Sequence, residues 1–433
     1  MLHDHRGYVP ALSDKHGLPR RIGIGGALLL AFNGAIGASI FALPATLAAD
    51  FGTSAPWLFP LVGIASLLIA VPFSRSVAAF PESGGPATYG RVFGRLAGFE
   101  LGWIYYVARA TAFAANLNVL VSYFARWWTG ADGGAIRVGL MLALVAGFAA
   151  INISGVRSAM RVLGGLTLLK TVPLLLAALG ALVIAGVPTP GPLPPVNEVE
   201  TGVLIVFYAF VGFENATVTA GETKEPNRTL PRALLGTIGT VALLYFFVQL
   251  AFVAVFPFGL ESGQDAPLLA LGAWLIGPVG ALVIGVTAIF STAGNLHSNM
   301  AATPRVTFAM AERGELPGWL AKVNRRFDTP AASILFFAGL IAVLAISGSF
   351  VWLAVVSTLA RMIIYSVTIL ALPRAPQPPE RIGASHWLIA AIGVLICVLV
   401  AAQADRTAWL TLAVLSGAGL LLYFFTPKRS SAS

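Results

Sequence analysis

Apolar runs long enough to cross a lipid bilayer follow one another along almost the whole chain, with little between them. A spanning helix needs roughly 20 predominantly apolar residues. Runs of that kind lie at about 22–49, 56–80, 97–124, 135–153, 161–187, 201–221, 231–257, 270–300, 330–347, 350–372, 385–403 and 407–425. The expectation is an all-α membrane protein of about 12 transmembrane helices. A composition of 57% hydrophobic and 10% charged residues, with a mean hydropathy of +0.84, agrees, because it falls far outside the soluble globular range. The net charge of +9 does not point to nucleic acid, since Lys and Arg punctuate the loops between apolar runs instead of clustering on a polar face. Cys397 is the only cysteine and lies in an apolar run, so no intramolecular disulfide and no metal cluster are expected. The first apolar run is too long for a cleavable signal peptide and has no small-residue cleavage site after a short core.

Basic residues orient the spans, because cytoplasmic loops carry an excess of them. One set of loops holds Arg6, Lys15, Arg20 and Arg21 before the first span, and further Lys and Arg after spans two, four, six, eight and ten and at the C-terminal end. The opposite set holds only Arg126, Arg137 and Arg406. Both termini are therefore expected in the cytoplasm. Arg109, Lys170 and Arg361 are left inside the membrane.

Two spans contain residues that make poor helix. In the first, Asn33-Gly34-Ala35-Ile36-Gly37-Ala38-Ser39 sits mid-span. Unwinding there leaves N–H groups of one half-helix and C=O groups of the other without partners, which hydrocarbon tolerates only beside a cavity or ligand. Such a break suits a solute that carries both an acceptor and a donor. The competing reading is a small-residue packing face, with Gly34-x-x-Gly37 one residue short of the usual spacing. The second interrupted span is the sixth, where Gly212 is followed two residues on by Glu214. Spans two and seven, and three and eight, keep nearly the same offset as spans one and six. An odd number of spans repeated in this way reverses orientation, which suggests two intertwined repeats of five with the site between them. The resulting division is a tail at 1–21, repeats at 22–187 and 201–372, two further helices within 385–425, and a tail at 426–433.

Four motifs in order give a resemblance. They are Gly34-Ala35-Ile36-Gly37-Ala38-Ser39-Ile40-Phe41 with Leu43-Pro44; Pro81-Glu82-Ser83-Gly84-Gly85 with Tyr89; Gly212-Phe213-Glu214 running into Glu222-Thr223-Lys224-Glu225-Pro226-Asn227-Arg228-Thr229-Leu230-Pro231; and Ala302-Thr303-Pro304-Arg305 with Met310-Ala311-Glu312-Arg313-Gly314-Glu315-Leu316-Pro317. Over nearly its whole length the chain resembles bacterial members of the amino acid/polyamine/organocation superfamily, whose leucine-transporter-like fold is a five-plus-five inverted repeat with helices one and six broken. The resemblance implies that a substrate carboxylate meets backbone N–H groups at Gly37, Ala38 and Ser39, beside Ile36. It implies that the ammonium meets carbonyls at about Ala35, Tyr208 and Val211. Ala38-Ser39 departs from the usual small-Ser-Gly order, so the hydroxyl is displaced by one position.

A charge at mid-bilayer costs about 2.5 to 3.5 kcal/mol even on lenient insertion scales, so each needs a partner or a purpose. Lys170 falls where proton-driven relatives often carry a lysine in place of a sodium ion. It either couples transport to protons or snorkels to the interface. Glu214 is either a proton-sensitive gate or the partner of a nearby donor. Arg109 either faces the cavity and selects an acidic side chain, pairs with Glu214, or lines an interface; Arg361 suits gate pairing or packing. Asn116, Asn118, Asn295, Ser298 and Asn299 are candidates for a polar cavity lining, and His297 for a hydrogen-bonded structural residue. With Glu214 the only acid placed near the breaks, neutral or zwitterionic amino acids are expected in preference to polyamines.

No nucleophile triad, metal spacing or phosphate loop is present, and Gly23-Ile24-Gly25-Gly26 opens a membrane helix instead of following a strand. The chain is thus expected to be no enzyme and to need no cofactor. Its expected partners are a small amino acid or amine, protons and the lipid bilayer, in a cell membrane that is a bacterial inner membrane. The expected activity is secondary transport by alternating access, proton-coupled. Alternatives are an amino acid/amine exchanger, or, from another class, a membrane substrate sensor or scaffold.

Overall fold

The computed structural model describes residues 22–80, 85–131, 133–154, 160–191, 196–260, 266–324, 326–327, 329–376 and 383–426. The expected tail at 1–21, all but Thr426 of the tail at 426–433, and the 81–84 part of the second motif lie outside the described residues. Among the described residues the chain is helical, with isolated bridges only at Ile22–Thr223 and Asn324–Thr329.

The α-helices in chain order are α1 (Ile24–Ala35), α2 (Ser39–Phe51), α3 (Leu58–Ala78), α4 (Pro86–Gly90), α5 (Arg95–Ala125), α6 (Gly134–Ile153), α7 (Met160–Ala185), α8 (Val196–Phe210), α9 (Pro226–Val255), α10 (Pro267–Ala302), α11 (Pro304–Glu312), α12 (Ala331–Ser347), α13 (Phe350–Ala371), α14 (Ala384–Ala402) and α15 (Arg406–Phe425). A 3-10 stretch, Phe213–Glu222, continues α8 beyond its break. Starts are set by local chemistry. Proline opens α9, α10 and α11, where its missing N–H costs nothing. Ser349 caps α13 by accepting from the Trp352 amide, and Asp405 caps α15 by accepting from the Ala408 amide.

Nine helical stretches among the described residues are both long and apolar enough to cross a membrane. α1, the stretch Gly202–Thr217 and α12 are apolar but shorter. The first two are short because a break divides the span to which each belongs. α10 differs from the uninterrupted span expected at 270–300: its backbone leaves helical geometry at Ile276 and Gly277, just ahead of Pro278. Proline removes a helical hydrogen bond and clashes with the preceding turn, so the straight part of this helix begins there.

Burial sorts the helices into an inner and an outer set. In the apolar window of α5, 94% of residues are buried, against 17% for α6 and for α15. The outer helices present Leu168, Leu176, Val183, Val343, Val414 and Phe425 outward. A polar solvent would penalise so much exposed apolar surface, whereas lipid does not. This is a multi-pass membrane protein, with α5 and α13 near its centre and packed against each other.

Candidate functional site

The two breaks meet. α1 ends at Ala35 and α2 starts at Ser39, so Ile36, Gly37 and Ala38 form the non-helical link. α8 ends at Phe210, and Gly212 adopts φ +104°, a conformation open to glycine and strained for other residues. A Cβ added to Gly212 would lie 2.3 Å from the Gly34 carbonyl oxygen, and one added to Gly34 would lie 2.3 Å from the Gly212 carbonyl oxygen. The backbones therefore touch where neither residue carries a side chain. The packing-face reading of the Gly34 region and the broken-helix reading both hold: the small residues pack, and they pack a break against a break.

Freed backbone groups find partners from three other helices. Asn295 donates to the carbonyls of Asn33 at 3.0 Å and Gly34 at 3.2 Å. Lys170 Nζ donates to the Ile36 carbonyl at 3.0 Å. Lys170 is buried and points into the bundle, not along its surface toward an interface. The Ala38 amide donates to Asn116 Oδ1 at 3.4 Å, and Tyr208 donates its hydroxyl to the same oxygen at 3.1 Å. Asn116 in turn donates to Asn295 Oδ1 at 2.8 Å. The hydroxyls of Ser39 and Tyr245 share a hydrogen bond of 3.2 Å.

At this junction lies a cavity of about 30 Å³ lined by Ala35, Gly37, Ala38, Ser39, Asn116, Tyr208 and Val211. Gly34, Gly212, Ala112, Asn215, Asn295, Asn299, Arg109 and Arg361 complete the wall. Ile36, Lys170 and Glu214 do not line it: Ile36 is fully buried and contributes its carbonyl to Lys170. In the link the Gly37 amide donates to the Ala35 carbonyl at 3.1 Å, the Phe41 amide donates to the Ala38 carbonyl at 3.0 Å, and Ser39 puts the first turn of α2 on the cavity wall. The volume suits a water or two and is too small for an amino acid, so admitting one requires side chains to move. Tyr208 packs edge-on against Phe350 with ring centres 5.8 Å apart. Phe350 also lines a second cavity of about 400 Å³, whose wall includes Asn118, Ser122 and Arg137. Asn118 thus belongs to this larger space and not to the central cavity. His297 lies within hydrogen-bonding distance of Asn152, at 3.4 Å.

Glu214 and Arg361 form a buried ion pair, Nε to Oε1 at 2.8 Å. The other carboxylate oxygen accepts from Tyr365 at 2.9 Å and from the Gly212 amide at 2.7 Å. Arg361 also donates to the Ala108 carbonyl and to Ser357. Tyr365 packs against the rings of Phe73 and Phe213. Arg109 is not brought to Glu214: its partners are Asn215, Asn299 and Thr303. Sequence reasoning missed Asn215, Ser357, Tyr365 and Tyr245. A signal was present for two of them, because Ser357, Arg361 and Tyr365 recur every fourth residue and so share one helix face.

The amino acid permease family model matches residues 22–426. The branched-chain amino acid permease BcaP of Bacillus subtilis is 26% identical, covering 98% of this chain and 96% of its own length. The serine/threonine exchanger SteT of the same organism is 28% identical, covering 75% and 76%. An uncharacterized transporter of Mycobacterium bovis is 27% identical, covering 94% and 91%. Matched over nearly its whole length, the chain is a transporter and not an enzyme, and it belongs to the amino acid permease family within the amino acid/polyamine/organocation superfamily.

Proposed function

We propose that this permease is a secondary active transporter of amino acids or related amines that works by alternating access and is driven by protons. The observation that carries the reading is the backbone contact of two broken helices at a cavity, with the first turn of α2 and residues of both breaks on its wall. That arrangement receives a carboxylate at Gly37, Ala38 and Ser39 and an ammonium near Ala35, Tyr208 and Val211. In this reading the chain has twelve spans. Repeats at 22–187 and 201–372 form a five-plus-five inverted pair, the helices within 385–425 are additional, both termini are cytoplasmic, and the membrane is a bacterial inner membrane.

Lys170 is the proposed proton carrier. Its amine donates to the carbonyl at the first break directly, so loss of its proton turns a charge-assisted hydrogen bond into a weaker neutral one at the segment that holds substrate. Glu214, wrapped by three donors, is assigned to holding the second break. One proton entering down about 100 mV releases about 2.3 kcal/mol, enough for roughly fifty-fold accumulation of a neutral solute. The test uses purified protein in liposomes with the interior alkaline and negative. The parent is expected to concentrate substrate, while Lys170→Ala retains counterflow but loses accumulation. Equal accumulation by both proteins removes Lys170 from the coupling role. The relative named as a serine/threonine exchanger supports a second reading, obligatory exchange; brisk counterflow without gradient-driven uptake in the parent establishes it.

A further inference from the structure

The central cavity carries more positive than negative charge. Its wall includes two guanidinium groups, Arg109 and Arg361. Glu214 neutralises Arg361 through Oε1, and its second oxygen accepts from Gly212 and Tyr365. Arg109 is just 5% exposed. It donates Nε to Asn299 Oδ1 and to Thr303 Oγ1, both at 3.2 Å, and Nη1 to Asn215 Oδ1. All three acceptors are neutral. They orient the guanidinium, as does the Tyr105 ring 5.9 Å from Cζ, and they supply no counter-charge. Among the described residues no carboxylate lies within 4 Å of Arg109, and its Nη2 has no acceptor.

A buried charge without a counter-ion is costly, and a guanidinium, unlike a lysine amine, does not escape by shedding its proton. The remaining direction open to Arg109 is the cavity that it lines. We infer that the substrate supplies the missing charge: the site is built for an amino acid of net negative charge, one with a side-chain carboxylate. The α-carboxylate meets the amides at Gly37 to Ser39, and the second carboxylate meets the free edge of Arg109, whose planar fork matches carboxylate geometry. Dibasic amino acids and polyamines would bring cations against Arg109 and are rejected by like charge. This inference rests on the transport reading and narrows its substrate class; a net anion entering with one proton moves no charge, so the pH gradient and not the membrane potential drives it.

The test compares exchange of glutamate, aspartate, glutamine, asparagine, leucine and ornithine by the purified protein in liposomes. The acids are expected to be favoured over their amides by at least about tenfold in apparent affinity, the size of one charge-assisted hydrogen bond, with ornithine excluded. Arg109→Gln should bring the acid-to-amide ratio close to one whatever its overall rate, and Arg109→Lys should retain part of the preference. Glutamate should also stabilise the purified parent against heat, and glutamine should do so less. Exchange of glutamine or leucine as good as that of glutamate in the parent overturns the charge inference and leaves the transport reading standing. So does an unchanged acid-to-amide ratio in Arg109→Gln. Exchange of none of these solutes overturns both.

Discussion

Glu214→Gln separates shape from charge at the second break. Glu214 and Arg361 are each only 2% exposed, and the carboxylate accepts from Arg361 at 2.8 Å, Tyr365 at 2.9 Å and the Gly212 amide at 2.7 Å. A glutamine keeps the volume but replaces one acceptor oxygen with an amide that faces a donor in either orientation. It also leaves Arg361 as a buried cation without a counter-ion. Breaking one side of such a pair costs about 3–5 kcal/mol, a large share of the stability of most domains. Glu214→Gln/Arg361→Gln removes both charges and should recover part of that loss, with a coupling free energy of about 2–3 kcal/mol between the two sites. The assay is the fraction of detergent-solubilised protein that stays monodisperse after stepped heating, read by size-exclusion chromatography. Heating unfolds membrane proteins irreversibly, so the measurement ranks variants instead of giving equilibrium constants. The expected order is parent, then double variant, then either single variant. A Glu214→Gln protein as heat-resistant as the parent would refute the reasoning. A double variant more labile than both singles would refute it equally, because the charges would then not be what the pair contributes.

Two further substitutions probe the first and second breaks. Gly212→Ala would place a methyl 2.3 Å from the Gly34 carbonyl oxygen, on a backbone held at φ +104°, so little monodisperse protein should be recovered; normal yield and transport would show that the helices do not touch there. Gly37→Val puts its first carbon 2.9 Å from Asn116 Nδ2, the end of a side chain that can shift. It should therefore yield folded protein whose cavity is filled, seen as normal monodispersity without substrate-induced thermal stabilisation.

What could be read from one dimension was whatever a local stretch must do by itself. Gly34 and Gly37 inside an apolar run announced the unwound link that the structure places at 36–38, and Gly212 did the same for the second break. Long-range partnerships left no such trace. Arg109 finds Asn299 across 190 residues and Arg361 finds Glu214 across 147, and nothing local decides which of two buried arginines a single carboxylate selects. The position of Lys170 against the first break was reached through resemblance, since its own surroundings, Leu168-Leu169-Lys170-Thr171, fit a snorkelling lysine as well. The bend in α10 carried a local signal, Gly277-Pro278, but the apolar run continues through it and hydropathy does not register a change of direction.

The contact of Gly34 with Gly212 has a mechanical consequence. α1 and the Phe213–Glu222 stretch touch there, and their far ends are tied again where the Lys224 amide donates to the Ile22 carbonyl at 2.8 Å beside the Ile22–Thr223 bridge. Two struts fastened at both apex and foot form a truss. Neither inner half-helix can swing alone without first losing the backbone bond at the foot. At the apex neither Gly34 nor Gly212 has a side chain to flex, so the halves can turn about that point but cannot slide far through it. Any opening on this side of the cavity therefore moves two segments from distant parts of the chain as one rigid piece.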